Sequence, residues 1–219
     1  MSATTKFKDV VKLILPERIV WQIQSLLHEI ATRRLRGLDF HLNHPDRVIL
    51  EDNIIPYFVA RSEFNKILFV GCDWFTKPYE KYFKNKEYWT IEIEPSKAKY
   101  GAKKHHIIDA LQNLTHHFEN NYFDLIFYNG VFGFGINTKE DTEESFWQCF
   151  QCLRTSGVLV FGWNDKPEYK PFSVIEECEN LKRFQPYIFP PLAAAEYAVE
   201  DDRFKYRHRF NFYIKPVTS

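Results

Sequence analysis

Between Lys66 and Trp163 the chain alternates short apolar, aromatic-rich runs with stretches long enough to cross back over a sheet. The runs are KILFVG (66–71), YWTIEI (88–93), HHIID (105–109), FDLIFYNG (123–130) and GVLVFGW (157–163). Between them lie KPYEKYFKNK, PSKAKYGAK, ALQNLTHHFENN and KEDTEESFWQCFQCLRTSG, all read as helical. Strands that are apolar throughout must be covered on both faces, and the crossover helices supply the two covers. Right-handed crossovers then predict a doubly wound α/β domain with a mostly parallel sheet. After residue 164 the alternation stops. There LKRFQPYIF and HRFNFYIKP predict an antiparallel pair at the sheet edge, for seven strands in all.

Upstream, residues 16–36 read as a helix. Pro16 suits a first turn, Ile19, Val20, Ile23, Leu26, Leu27 and Ile30 recur at three- and four-residue steps, and Gly37 is a natural stop. VILEDNIIPYF (48–58) reads as a further helix feeding the first strand. The expected organisation is an N-terminal helical cap over 1–60, packed on a Rossmann-like domain over 61–219. Residues 1–37 hold seven basic side chains against three acidic ones, a surplus that fits a solvated helix end better than a membrane-surface helix.

Over the full 219 residues, 29 basic side chains balance 29 acidic ones. A dedicated nucleic-acid binder carries a basic surplus, so that class loses weight. No apolar run approaches the ~20 residues that span a bilayer, and no signal peptide is evident. The expectation is a cytoplasmic protein without stable membrane insertion, its four cysteines reduced, with a small molecule as partner and oligomerisation left open. Cys149 and Cys152 have C-x-x-C spacing inside a helical stretch, with no second ligand pair, so no metal is expected.

In such a sheet, ligands bind beyond the carboxyl ends of the strands, where strand order reverses. Gly71 ends the first run and allows backbone angles that other residues resist. Thr76 or Lys77 would cap a following helix, with Pro78 in its first turn, and the positive end of that helix would face an anionic group. Glu92 ends the second run, 21 residues after Gly71. That is where a carboxylate can accept from both hydroxyls of a ribose; Glu94 competes for the role. Asp109 ends the third run. Alone it reads as the N-cap of the next helix; in sequence with Gly71 and Glu92 it could receive an adenine amine.

These residues carry a resemblance. The span from 66 to about 163 resembles the class I S-adenosylmethionine-dependent methyltransferases. ILFVGCDWF stands at their glycine-rich first motif, TIEIEP at their acidic second, IIDAL at the third and FDLIFYNGVFGFG at the fourth. CFQCLRTSGVLVFGW matches the helix, turn and fifth strand, with Gly157 at the turn. More narrowly, VGCDWFTKPYEKYF, NGVFGFGIN and GWND resemble small stand-alone bacterial members. The resemblance implies a Rossmann-like methyltransferase fold and S-adenosylmethionine as cofactor. Gly71 would lie under its methionine part, Glu92 would hold the ribose, Asp109 the adenine amine, and Asn129 would sit beside the transferred methyl. Asp73, Trp74 and Phe75 depart from the family, which has glycines or small residues there.

A physical argument bears on that departure. The cofactor carries a sulfonium cation, and aromatic faces attract cations by roughly 0.5–2 kcal/mol. Trp74, Phe75, Phe132, Phe134 and Trp163 all fall at strand ends on the ligand side, and Asp73 could meet the cofactor's ammonium. Phe132, Phe134 and Trp163 are the expected acceptor walls, and Asp165, His208 and Asp73 the candidate bases. The expected activity is methyl transfer to oxygen or nitrogen of a small molecule. The alternatives are a non-catalytic binding module that has lost the cofactor and a nicotinamide-dependent oxidoreductase, which would need the absent G-x-G-x-x-G turn.

Overall fold

The five apolar runs become five parallel strands: β1 (Lys66–Val70), β2 (Glu87–Glu92), β3 (His106–Ile108), β4 (Phe123–Asn129) and β5 (Leu153–Asp165). In this computed structural model the described residues are 44–201 and 206–217, together with Ile19, Ile23 and Leu27. Three further strands, β6 (Gln185–Pro186), β7 (Glu196–Asp201) and β8 (Tyr206–Ile214), complete a mixed sheet. β8 runs antiparallel to β5 along eight residue pairs, and both β6 and β7 pair with β8. The sheet has eight strands where seven were expected, because two short segments share the outer side of β8. The order β3-β2-β1-β4-β5-β8 reverses direction between β1 and β4. That reversal opens a crevice at their carboxyl ends.

Alternate residues of each central strand feed opposite faces, as the pleat demands. Leu68, Val70, Ile126, Tyr128, Leu159 and Phe161 pack on one side beneath helix residues Phe146, Cys149 and Cys152. Ile67, Phe69, Leu125, Phe127, Val158 and Val160 pack on the other, with Leu50, Ile54, Ile55 and Phe58. Those last four come from a continuous helical segment: α1 (Pro45–Ile49), a π-helical turn (Leu50–Ile54) and α2 (Ile55–Val59).

The chain divides into two compact units, Met1–Phe40 and His41–Ser219. The segment 48–58, grouped with a cap on sequence grounds, therefore belongs to the unit that contains the sheet. The helix expected over 16–36 lies largely outside the described residues. Ile19, Ile23 and Leu27 are helical, with exposed side chains. No helix among the described residues is long and apolar enough to cross a membrane.

Of the four crossovers read as helical, only the last is a full α-helix, α3 (Lys139–Cys152), capped by Thr138, whose hydroxyl oxygen accepts the Asp141 N–H at 3.1 Å. A final short helix, α4, spans Val174–Glu177. Lys77–Lys81, Pro95–Tyr100 and Leu111–His116 are 3-10 turns of five or six residues. Segments this short satisfy few i→i+4 bonds, and the tighter helix closes more of them. The expected anion site before Lys77 is corrected accordingly: Thr76 makes no side-chain cap, and one 3-10 turn carries too small a dipole to hold an anion.

Candidate functional site

At the crevice, β1 runs into Gly71, whose φ of +81° an L side chain rarely adopts. A Cβ there would also lie 2.7 Å from Val131 Cγ1, so the glycine lets the loop after β4 close against the loop after β1. The turn that follows is held by its own side chains. Asp73 Oδ1 accepts the Trp74 N–H at 2.7 Å, and Thr76 Oγ1 accepts the Asp73 N–H at 3.0 Å. Glu92 reaches from β2 into this turn. Its Oε2 accepts the Cys72 N–H at 2.8 Å, and Oε1 accepts the Glu94 N–H at 2.9 Å. A carboxylate has about four lone-pair positions, so each oxygen can accept again. Lys97 Nζ stands 3.4 Å from Asp73 Oδ2 and 3.5 Å from Glu94 Oε2. Burial works against its charge, but Asp73, Glu92 and Glu94 together hold its pKa above the usual lysine value.

Across the crevice the chemistry changes sign and wetness. Asn129, at the end of β4, is 5% exposed, and neither amide atom finds a partner among the described residues. On β8, His208 is 2% exposed. Its Nδ1 lies 2.6 Å from Asn164 Oδ1. An amide oxygen only accepts, so Nδ1 carries the proton and Nε2 keeps its lone pair. Nε2 is buried without a partner. Burial pushes the imidazole pKa down to about 4, with Asp46 pulling it up and Arg47 pushing it further down. Gly162 of β5 lies between the two groups: a Cβ would come within 1.7 Å of Asn129 Oδ1 and 3.0 Å of His208 Nε2. α1 contributes Asp46, buried and 3.3 Å from Arg47 Nε. Burial opposes ionisation of Asp46, yet Arg47, His208 and His44 hold its pKa below the usual carboxylate value. The Arg47 guanidinium lies 4.6 Å from the centre of the Phe75 ring.

No protein-family model and no curated protein matches the sequence. Solved structures do match the architecture. A S-adenosylmethionine-dependent methyltransferase from Methanosarcina mazei superposes with a TM-score of 0.57 at 14% identity, over 76% of this chain and 98% of that one. The N-methyltransferase NodS from Bradyrhizobium japonicum gives 0.56 at 12% identity, over 76% and 96%. A S-adenosylmethionine-dependent methyltransferase from Archaeoglobus fulgidus gives 0.53 at 14%, over 91% and 100%. The fold is that of the class I methyltransferases.

On this methyltransferase fold, the residues expected from sequence separate into several groups. Gly71, Asp73, Glu92 and Asn129 converge on the crevice between β1 and β4. Asp109 is engaged with its own turn: Oδ1 accepts from the Ala110 N–H and Asn113 Nδ2, and Oδ2 lies 2.8 Å from His117 Nε2. Those bonds, His117 first, hold its pKa below the ordinary value.

The aromatic residues divide too. Phe132 is fully buried against Phe161, Trp163 and Phe172, so its ring is core rather than acceptor wall. Trp163 is 2% exposed, and its indole N–H donates to Asn211 Oδ1. Phe134 is half exposed and stacks on Tyr169 at 4.4 Å. Trp74 is buried and meets Phe75 edge-on. The faces expected to attract a ligand cation already meet cations of the protein: Arg47 over Phe75, and Lys170 and Arg209 over Trp163.

Asp165 is ion-paired to Arg209 at 2.7 Å and to Lys170 at 3.4 Å. Burial alone would raise its pKa, but these cations lower it, which makes it a weak proton acceptor. Cys149 and Cys152 pack into the core, and burial pushes the Cys152 thiol up to about 12.

Sequence reading missed Asp46, Arg47 and Asn164. Asn164 stands in GWND, where the charge of its neighbour Asp165 drew attention; Asp46 and Arg47 lie in HPDRV, whose proline signals only a helix start. It also missed Ile93 and Ile108, which stand 66% and 52% exposed just after β2 and at the end of β3.

Proposed function

We propose that this protein transfers the methyl group of S-adenosylmethionine to oxygen or nitrogen of a small-molecule acceptor. The observation that carries the reading is Glu92. Its carboxylate ends β2, one strand from the reversal of strand order, is anchored by two backbone N–H groups, and retains lone pairs for two sugar hydroxyls. Beside it, the exposed side chains of Ile93 and Ile108 offer apolar cover to a flat base, with Asp109 at the far end. Asp73 would take the ammonium of the methionine part where Lys97 now stands, and Trp74 and Asn129 would border the methyl. Bound there, S-adenosylmethionine would supply a methyl already activated on a sulfonium. The residues of this chain then have to align an acceptor and exclude water, which can contribute several kcal/mol through proximity.

Calorimetry with S-adenosylmethionine, S-adenosylhomocysteine and NAD tests the reading. Binding of the first two and not of NAD is the expected result. Binding of none would favour a non-catalytic module, a reading that the buried Trp74 in place of a small residue keeps in play. Binding of NAD alone would point to an oxidoreductase.

A further inference from the structure

The carboxylates around Glu92 are already answered by a cation of the chain itself. Asp73 follows β1, Glu92 ends β2 and Glu94 lies just beyond it. Asp73 and Glu94 each commit one oxygen to their own turn: Asp73 Oδ1 accepts the Trp74 N–H, and Glu94 Oε1 accepts the Ser96 hydroxyl at 2.5 Å. Their second oxygens, Asp73 Oδ2 and Glu94 Oε2, face Lys97 Nζ at 3.4 and 3.5 Å. Carboxylates fixed by such local bonds form a preset cation site. Lys97 is its movable part, an ammonium on a flexible four-carbon stem, with a side chain 34% exposed. It stands three residues from Glu94, so Nζ can leave Asp73 and remain paired with Glu94. That movement empties an ammonium-sized position at the surface and disturbs nothing in the core.

We propose that Lys97 is a built-in competitor of the cofactor: its Nζ holds the place on Asp73 that the ammonium of the methionine part takes, and the bound cofactor turns it out onto Glu94. This rests on the methyl-transfer reading above and adds a control on that same site. Two ammonium groups repel each other at one carboxylate oxygen, so ligand and lysine exchange there rather than share it. Asp73, Glu92 and Glu94 keep Lys97 protonated at neutral pH, so the competition is always present. It acts only on ligands that carry an ammonium, because an adenosine group alone can bind with Lys97 in place. Donor and product are therefore held more loosely than the carboxylates by themselves would hold them, which favours release of the product.

The test uses the full-length protein with two probes, S-adenosylhomocysteine, which has the ammonium, and 5′-methylthioadenosine, which lacks it. Lys97→Gln removes the competitor. An exposed ion pair is weak, so calorimetry should show S-adenosylhomocysteine binding about three- to fivefold tighter to this variant, and 5′-methylthioadenosine unchanged. In an Asp73→Asn background, which keeps the amide oxygen for the Trp74 N–H, Lys97→Gln should no longer tighten S-adenosylhomocysteine. Proton–carbon NMR reads the exchange directly. The Lys97 Hε–Cε cross-peak, assigned by its loss in Lys97→Gln, should move when S-adenosylhomocysteine binds the wild type and stay in place with 5′-methylthioadenosine. Equal tightening of both probes by Lys97→Gln would overturn the competition, as would unchanged or weaker binding of S-adenosylhomocysteine, or a cross-peak that ignores it. Each of those results leaves the methyl-transfer reading standing, because the probes still bind. Failure of both probes to bind the wild type would overturn that reading, and the role of Lys97 with it.

Discussion

The two flanks of the crevice solve opposite problems with the same strand ends. On the β1–β3 flank, the functional groups are carboxylates at the surface: Asp73, Glu92 and Asp109 hold backbone N–H groups or basic side chains and still face solvent. On the β4–β8 flank, Asn129, Asn164 and His208 are neutral, and Asn129 and His208 lie almost wholly out of water with atoms unpaired. Ionised groups retain their charge cheaply only near water or beside a partner, so the first flank suits a polar, cationic ligand exchanged with solvent. Neutral buried groups discriminate by hydrogen-bond count, because a mismatched guest leaves them unsatisfied. In the proposed reading the first flank attracts and the second selects.

The largest effect should come from removing the attracting flank's anchor. Glu92→Ala orphans the Cys72 and Glu94 N–H groups and, on the proposed reading, deletes the acceptor for two sugar hydroxyls. Hydrogen bonds to a charged group contribute ~1.5–3 kcal/mol each, so affinity for S-adenosylmethionine should fall more than a hundredfold by calorimetry. An unchanged dissociation constant would remove Glu92 from the ribose site and erase the contrast between the flanks.

The flanks should also part company in acid. His208 has a folded pKa of about 4 against an ordinary 6.5, so below pH 6.5 the unfolded chain takes up a proton that the folded one refuses. The stability tied to the neutral ring is therefore complete above pH 6.5. It is lost as pH falls from 6.5 towards 4, by about 3 kcal/mol in all. Denaturant melts at pH 7, 5.5 and 4.5 should show that loss in the wild type and a shallower one in His208→Gln. Parallel curves for the two proteins would mean that the ring is not held neutral by burial. Asp109 and Asp165, whose folded pKa values are depressed, contribute stability that persists to lower pH, lost only as pH falls below ordinary carboxylate values.

The same division explains what the sequence made legible. Strand positions followed from the apolar runs and crossover lengths, and β1 to β5 fall within a few residues of those runs. The attracting flank was readable because a glycine, a glutamate and an aspartate at successive strand ends are a local signal. The selecting flank was not, because it joins residues of β4, β5 and β8 with α1, far apart in the chain, and its groups are ordinary asparagines and a histidine. Phe132 shows the limit from the other side. A strand-end phenylalanine looks like a ligand wall, but whether its ring faces a ligand or the core is settled by how the loop after β4 turns, and here it turns the ring inward.

The smallest effect sharpens the contrast most. Asp165 lies in the last pair of the paired stretch of β5 and β8 and His208 in the pair before it, and both were candidate bases on sequence grounds. Asp165 is a fifth exposed and paired to Arg209 and Lys170, an arrangement that exposed ion pairs make worth under ~1 kcal/mol. Asp165→Asn should therefore lower Tm by no more than ~2–4 °C at pH 7. Because its folded pKa is depressed, the difference from the wild type should shrink as pH falls through that value and vanish in stronger acid. A much larger drop in Tm would mean that the salt-bridged surface of β5 contributes more than exposed ion pairs do.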